Sequence, residues 1–442
     1  MKRVDHHVPS RRKFLRCGSV TAAAALAAPY IVPASALGRD GKAAPSDRLV
    51  MGCIGTGGQG VGNMRRFLGE PDVQVVAVCD VDQRHRERAA AIANEHNKNQ
   101  DCAQTGDFRE ICARDDIDIV TVCTPDHWHA LATIAAVTSG KDVYCEKPLA
   151  NSVGEGRAIC QAASQSKRIV QTGSHERSNS NARFACELVR NQRIGELKTI
   201  KVNMPCEQQH HQKVRALTTM PPPEEVPEGF DYDMWLGHTA YVPYTPLRCH
   251  FWWRFVLAYG GGEMTDRGAH IIDLAQLGAG MDHTGPVHFE AMGVASKTSL
   301  YDAFFDYRFV NTYANGVKLI GDTAGPRGVR FEGTDGWVFI HVHGGKLETE
   351  PASLLQEEIG TDDIQLGRSP GHQRNFVDAV KSRGEPMAPA EVGHRTASIC
   401  HLNNLAMGLG RALTWDPDTE QVADDDDANR LLTPDMRDPW TL

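Results

Sequence analysis

Lys147 lies between Glu146 and Pro148 at the end of an apolar run, Asp142–Glu146, that reads as a short buried strand. Proline cannot donate to a sheet ladder, and it pushes the residue before it away from helix. Lys147 is therefore expected to be extended at the carboxyl end of a strand, the edge where ligands sit in open α/β sheets. An ammonium fixed there beside Glu146 can hydrogen-bond a substrate hydroxyl or help deliver its proton. A surface Lys-Pro turn is the alternative, and the rest of the chain has to decide. A second pair, Asp266 and His270, follows the glycine run Gly260-Gly261-Gly262. Four residues apart on a helix, they share one face. That spacing suits histidine as a base, with aspartate to orient it or to bind substrate. A capping aspartate and an ordinary helix histidine would look the same.

Gly55-Thr56-Gly57-Gly58-Gln59-Gly60 follows one apolar run and opens an amphipathic one. This is G-x-G-x-x-G at a strand-to-helix turn. Its glycines serve a tight turn, backbone approach to a pyrophosphate, and close helix–strand packing. The helix N-terminus then offers unpaired N–H groups to the phosphates. Asp80, twenty positions after Gly60, ends the next apolar run and is placed to accept from adenosine ribose hydroxyls. That favours NAD over NADP, although Arg84 is near enough to serve a 2′-phosphate. Thr124-Pro125-Asp126-His127-Trp128-His129 ends a third run at the same edge. Thr124, Pro125, His127 and His129 are candidates for the nicotinamide side; the histidines serve equally well as satisfied buried polar groups.

The elements that must position these residues alternate. Strands are expected at Leu49–Ile54, Val73–Cys79, Ile117–Cys123, Asp142–Glu146 and Ile169–Thr172. Helices are expected at Gly58–Leu68, Gln83–Asn97, Trp128–Thr138 and Gly154–Ser166. Such alternation means parallel βαβ units, a doubly wound Rossmann sheet over residues 48–172. From 173 to 442 the strands lengthen and alternate in polarity: Lys198–Met204, Val287–Ala295, Tyr307–Ala314, Val317–Ile320, Val329–Phe331 and Trp337–Val342. This pattern suggests a large, mostly antiparallel open sheet with one covered face. Gly-Thr-Asp-Gly at 333–336 reads as a hairpin turn. Two late helices are expected near Gln373–Ser382 and Thr396–Leu409. The acidic run 424–427 reads as a solvated helix start or tail.

The amino terminus reads as an address. Ser10-Arg11-Arg12-Lys13-Phe14-Leu15 is a twin-arginine pattern, Val20–Val32 a moderately apolar run, and Ala34-Ser35-Ala36 a small-x-small cleavage site. The run is too short to span a bilayer. We therefore expect a signal peptide at 1–36, a linker at 37–47, export to the periplasm by the twin-arginine machinery, and no membrane anchor. Cleavage after Ala36 removes six basic residues and one acid, moving the net charge from −9 to −14. Such a charge leaves no footprint for nucleic acid. Of the twelve cysteines, Cys53, Cys79, Cys123 and Cys145 lie in apolar runs and read as buried thiols. The pairs His127/His129 and His210/His211 are too isolated to be read as metal ligands, so no metal is expected.

Together, Gly55-x-Gly57-x-x-Gly60, Glu146-Lys147-Pro148 and Asp266-x-x-x-His270 make the chain resemble the Gfo/Idh/MocA oxidoreductase family from about Arg48 to its end. The resemblance implies a Rossmann domain plus an α/β domain whose open sheet often builds a homo-oligomer. It also implies Lys147 at the reacting hydroxyl, His270 as acid/base with Asp266 in support, and Glu146 near the cofactor. A sugar or polyol substrate follows in the same way. Trp235, Trp253, Arg254 and Tyr259 offer aromatic faces and a donor for a sugar, and His175 and Arg177 lie beyond the last Rossmann strand. Free NAD is scarce outside the cytoplasm, so an exported member is expected to hold its cofactor tightly and return the hydride within each cycle. Paired sugar redox and redox-assisted glycoside cleavage both do this. A simple NAD-dependent sugar dehydrogenase and a non-catalytic sugar-binding protein with a structural cofactor are the alternatives.

Overall fold

Six short strands build the first sheet: β1 (Leu49–Ile54), β2 (Val73–Cys79), β3 (Ala103–Thr105), β4 (Ile119–Val122), β5 (Asp142–Cys145) and β6 (Val170–Thr172). The computed structural model describes residues 44, 47–206, 208–295 and 300–442. The expected signal peptide and all of the linker except residues 44 and 47 lie outside the described residues. The two sheets and their helices belong to Leu49–Leu442. The strands of the first sheet are parallel, in the order β3-β2-β1-β4-β5-β6. The order reverses between β1 and β4, which opens a crevice at their carboxyl ends. β4 and β5 are buried along their whole length, as strands covered on both faces must be. β3 has no counterpart among the expected strands because it is a three-residue edge strand with Ala103 and Gln104 exposed. Where a helix was expected from Trp128, a 3-10 turn (Asp126–Trp128) comes first and the helix runs His129–Thr138.

The second sheet contains β7 (Leu197–Asn203), β8 (His288–Val294), β9 (Phe305–Thr312), β10 (Lys318–Asp322), β11 (Gly328–Gly333), β12 (Trp337–His341), β13 (Leu347–Glu350), β14 (Leu413–Asp416) and β15 (Gln421–Val422). Its order is β13-β12-β11-β7-β10-β9-β8-β14-β15, antiparallel throughout except for the β7–β10 pair. Residues 333–336 form the β11–β12 turn, as expected. In β9, Phe305, Tyr307 and Phe309 point into the core while Asp306 and Arg308 face out, so one face is covered. The cover comes from the helices Ser180–Arg190, Gly268–Ala279 and Ala390–Leu409. Gly268–Ala279 is buried almost all round, which its apolar composition requires.

The chain then returns to the first sheet. The helix His372–Ser382 places Phe376, Val377 and Val380 in the same core as Met64, Phe67, Val75 and Tyr144. The Phe376 ring lies 6.0 Å from both Phe67 and Tyr144. The helix Ala390–Leu409 starts six residues earlier than its apolar pattern suggested. Gly393 sits in its first turn because a Cβ there would come within 2.1 Å of Thr172 Oγ1. The acidic run does start a helix, Asp426–Arg430, capped by Asp425. Among the described residues no helix is long and apolar enough to cross a membrane. Cys53, Cys79 and Cys145 are buried free thiols, and Cys123 is half-buried at the crevice.

Candidate active site

The crevice begins at the glycine turn. Gly55 has φ +78°, and a Cβ there would stand 2.6 Å from the backbone of Cys123 and Thr124. A Cβ on Gly60 would stand 2.0 Å from the Gly55 oxygen, so helix Gly58–Leu68 can meet β1 only with glycine at that point. The Cβ positions of Gly57 and Gly58 are open, and no side chain caps the helix. Its first N–H groups and this open cradle fit a diphosphate.

Asp80 stands beside the turn. Thr56 N–H donates to its Oδ2 at 2.7 Å, and Asp82 N–H donates to Oδ1 at 2.9 Å. Arg84, the residue that weighed toward NADP, is turned away. Its guanidinium pairs with Asp82 at 2.9 Å and is largely in solvent. Asp80 is thus placed to accept ribose hydroxyls, Arg84 is engaged with Asp82, and the residues present fit NAD.

One continuous cleft of about 670 Å³ runs from this turn to the second sheet's helices, past Thr124, Pro125, Asp126, Glu146 and Lys147 to Asp266 and His270. Glu146 is buried; Asn63 Nδ2 donates to its Oε1 at 2.6 Å and Gln59 Nε2 at 3.1 Å. Asn63, one turn into the helix, carries no motif and was not foreseen. The Lys147–Pro148 peptide is cis. Lys147 Nζ donates to Asp266 Oδ1 at 2.7 Å and to the Asp266 carbonyl at 2.8 Å. Burial alone would raise the Asp266 carboxyl, but Lys147 and then Arg254 outweigh it and hold it well below the usual carboxylate range. Burial opposes the Lys147 ammonium, yet Asp266 and Glu146 keep its pKa above the ordinary value. Asp126, also unforeseen, goes the other way: burial pushes its carboxyl well up, although Lys147 pulls against this.

Asp266 and His270 do not share one helix. A short helix Glu263–Asp266 ends at Arg267, and Gly268–Ala279 begins beyond it. Asp266 therefore turns to Lys147 rather than orienting His270. The His270 Nδ1 is buried without a hydrogen-bond partner among the described residues. Its ring packs 4.7 Å from His175 and 4.9 Å from His343. Burial, and then the charge of Lys147 and the neighbouring imidazoles, drive its pKa well below the ordinary value.

Several expected contacts fall elsewhere. His127 is fully buried with Nε2 2.9 Å from the Trp235 carbonyl, and burial pushes it down to about 3, so it is part of the framework. His129 is buried at the cleft wall, its ring nitrogens 2.7 Å from the Pro148 oxygen and 3.1 Å from the Thr124 oxygen. It ties the ends of two strands together. Arg177 does not reach the cleft. It is buried with Nε 2.7 Å from Asp273 and NH2 2.8 Å from Asp282. Breaking such a pair costs ~3–5 kcal/mol, so its role is structural. Tyr259 is buried under Trp235 and His127 rather than exposed to a sugar. Trp235, Trp253, Arg254 and His175 do line the cleft. The Arg254 guanidinium lies over Trp253 at 4.5 Å and reaches Asp266 at 3.4 Å.

His343, from the β12–β13 turn, enters with its Nδ1 3.0 Å from Glu176 Oε1. No local motif marks it. His211, read as isolated, meets Glu263 at 2.5 Å and accepts Gln208 N–H at Nδ1, so its Nε2–H donates to the carboxylate under the Asp266 loop.

A doubly wound sheet whose glycine turn shares one cleft with a lysine–aspartate pair and a histidine on a helix that covers a second sheet defines an NAD-binding α/β protein of two sheets. The chain belongs to the Gfo/Idh/MocA oxidoreductase family: residues 49–174 match its NAD-binding Rossmann fold and residues 186–442 its C-terminal alpha/beta domain. A glycosyl hydrolase family 109 protein of Shewanella sp. (strain W3-18-1) is 32% identical over 205 residues, 43% of this chain and 45% of that protein. The chain thus matches less than half the length of such curated relatives. Two solved structures share the fold. The WlbA dehydrogenase from Bordetella pertussis, in complex with NADH and UDP-GlcNAcA, has a TM-score of 0.60 at 14% identity, covering 84% of this chain and 99% of its own. The aldose-aldose oxidoreductase from Caulobacter crescentus, complexed with glycerol, has a TM-score of 0.59 at 18% identity, covering 83% of this chain and 99% of its own.

Proposed function

We propose that this chain cleaves a glycoside by transient oxidation of its sugar, keeping its NAD through each cycle. The observation that carries the reading is the crowd of proton-transfer groups at one end of the cleft. Lys147 and Asp266 form an ion pair there, and His270, His175 and His343 pack against one another beside it. Oxidising an alcohol moves one hydroxyl proton, for which Lys147 and Asp266 suffice. Elimination and rehydration move protons at two more positions, and the imidazoles supply the groups.

Bound NAD, held by the Gly55–Gly60 turn and Asp80, supplies the hydride acceptor and donor. Lys147 steadies the oxygen at C3. A ketone there acidifies the C2 proton, which His270, held neutral by its surroundings, accepts. The pair of the C1–O bond leaves with the aglycone. Water then adds its oxygen at C1, and His270 returns the proton to C2. Relatives named glycosyl hydrolase family 109 support this reading. The twin-arginine pattern at Arg11-Arg12 supports work outside the cytoplasm, where a retained cofactor is needed.

The test is aglycone release from glycosides by extensively dialysed protein with no added nucleotide, alongside nucleotide content by mass. Stoichiometric NAD(H) with aglycone release is expected. Turnover that requires added NAD and releases only an oxidised sugar would replace this reading with a simple dehydrogenase.

A further inference from the structure

We propose that His343, held by Glu176, is the proton donor to the departing glycosidic oxygen. This role rests on the glycoside-cleaving reading of the same site.

His343 sits in the turn between β12 and β13 at φ +67°, a conformation tolerated best by glycine, asparagine, aspartate and histidine. Its backbone N–H and its ring Nδ1 lie 3.1 and 3.0 Å from the same oxygen, Glu176 Oε1. Glu176 comes from the turn after β6 and is buried. Two bonds to one buried carboxylate oxygen fix both the position of the turn and the direction of the ring. They place the proton on Nδ1 and leave Nε2 for the cleft, which His343 lines. Burial alone would raise the Glu176 carboxyl. The contacts with His343 and His175 reverse that, so the group is an anion, able to accommodate the positive charge of a ring that also carries a proton at Nε2.

The neighbouring ring is in the opposite situation. His270 lies 4.9 Å away with no hydrogen-bond partner at Nδ1 among the described residues, and burial and then Lys147 beside it disfavour positive charge. Two imidazoles in contact, one backed by a carboxylate and the other by an ammonium, divide naturally into acid and base. In the elimination, the C2–H pair becomes the C1–C2 double bond and the C2 proton goes to His270. The C1–O pair leaves with the aglycone oxygen, which takes the Nε2 proton of His343. In the addition, water oxygen bonds C1 while one water proton returns to His343 and the His270 proton returns to C2. Both residues are reset, and neither step needs an oxidant or reductant.

The test compares matched methyl and 4-nitrophenyl hexopyranosides, following aglycone release and deuterium uptake from solvent at C2. His343→Asn suits the left-handed backbone, and Glu176→Gln keeps the shape of the anchor. For His343→Asn, methanol release is expected to fall ~10²–10⁴-fold, the usual scale of a general acid. Nitrophenolate needs no proton, so its release changes little, and deuterium uptake persists. Glu176→Gln gives the same pattern with a smaller loss. Equal losses for both aglycones, or lost deuterium uptake, would overturn the assignment. If wild-type protein oxidises the sugar but frees neither aglycone, the glycoside reading itself fails and this role falls with it.

Discussion

Lys147 Nζ stands 2.7 Å from Asp266 Oδ1, joining a strand end of the parallel sheet to the helical loop under the antiparallel one. The two residues are 119 apart in sequence. Each explains the other's charge state: Lys147 is the main force holding Asp266 ionised, and Asp266 the main force keeping Lys147 protonated in a place where burial opposes it.

Lys147→Met should therefore remove the chemistry while the glycine turn and Asp80 still hold the nucleotide. We expect turnover to fall by ~10²–10⁴, on the scale of one proton-transfer group. Turnover and nucleotide content measured on the same preparation check this, and undiminished turnover would remove Lys147 from the mechanism.

His270 gives a pH signature. Its folded pKa lies well below the ordinary imidazole value, so the ring is neutral across the neutral range. The acid limb of the rate profile should then fall at lower pH than an unperturbed histidine would give. Lys147 is one of the charges pushing His270 down, so the residual activity of Lys147→Met should show that limb at higher pH. A limb that stays in place would mean that another group sets it.

Gly60→Ala tests the cradle. The added Cβ would meet the Gly55 oxygen at 2.0 Å, a backbone atom that cannot give way without opening the turn. Overpacking of this kind costs ~1–3 kcal/mol or more. Lower melting temperature and loss of bound nucleotide are expected. Gly58→Ala, with nothing within 4 Å, is the control and should fold normally.

Glu155 should make stability depend on pH. It is buried in the first turn of the helix Val153–Ser166, and burial pushes it up to about 8 from 4.5, with Ser152 and the Asn151 backbone pulling partway back. Its neighbour His238 is pushed down to about 4 by burial and Arg437, and so offers no charge. A raised folded pKa means that the folded state holds the proton more tightly. The contribution is fully present below pH 4.5, is lost as pH rises to about 8, and is flat beyond. Within that window each pH unit removes about 1.4 kcal/mol. Denaturation curves of wild type and Glu155→Gln at several pH values should diverge as pH rises; parallel curves would show that Glu155 titrates normally.

Legibility in the chain tracks how locally each feature is encoded. The parallel strands were legible, because strands buried on both faces are continuous apolar runs with turn residues between them. β3 was not, because an edge strand of three residues needs no apolar run. The glycine turn and Lys147 were legible because their chemistry is set by immediate neighbours. Asp266 was legible as a site residue, but its pairing with Lys147 was not, since a helix break at Arg267 turns it toward a lysine 119 residues earlier. Arg177 misled because the carboxylates that absorb it, Asp273 and Asp282, come from far along the chain. His343 was invisible for the same reason: only the β12–β13 turn brings it to Glu176, 167 residues earlier.

The return of the helix His372–Ser382 to the first sheet carries a practical corollary. Phe376 closes a core begun by Phe67 and Tyr144 some two to three hundred residues upstream. Losing one such ring typically costs ~3–5 kcal/mol, a large share of the ~5–15 kcal/mol that holds a domain folded. A gene fragment stopping after β6 would encode the whole glycine turn and Asp80 and still lack the lid of its own interior. The NAD-binding half is therefore no detachable cassette: swapping it between relatives, or expressing it alone, requires the late helix to travel with it.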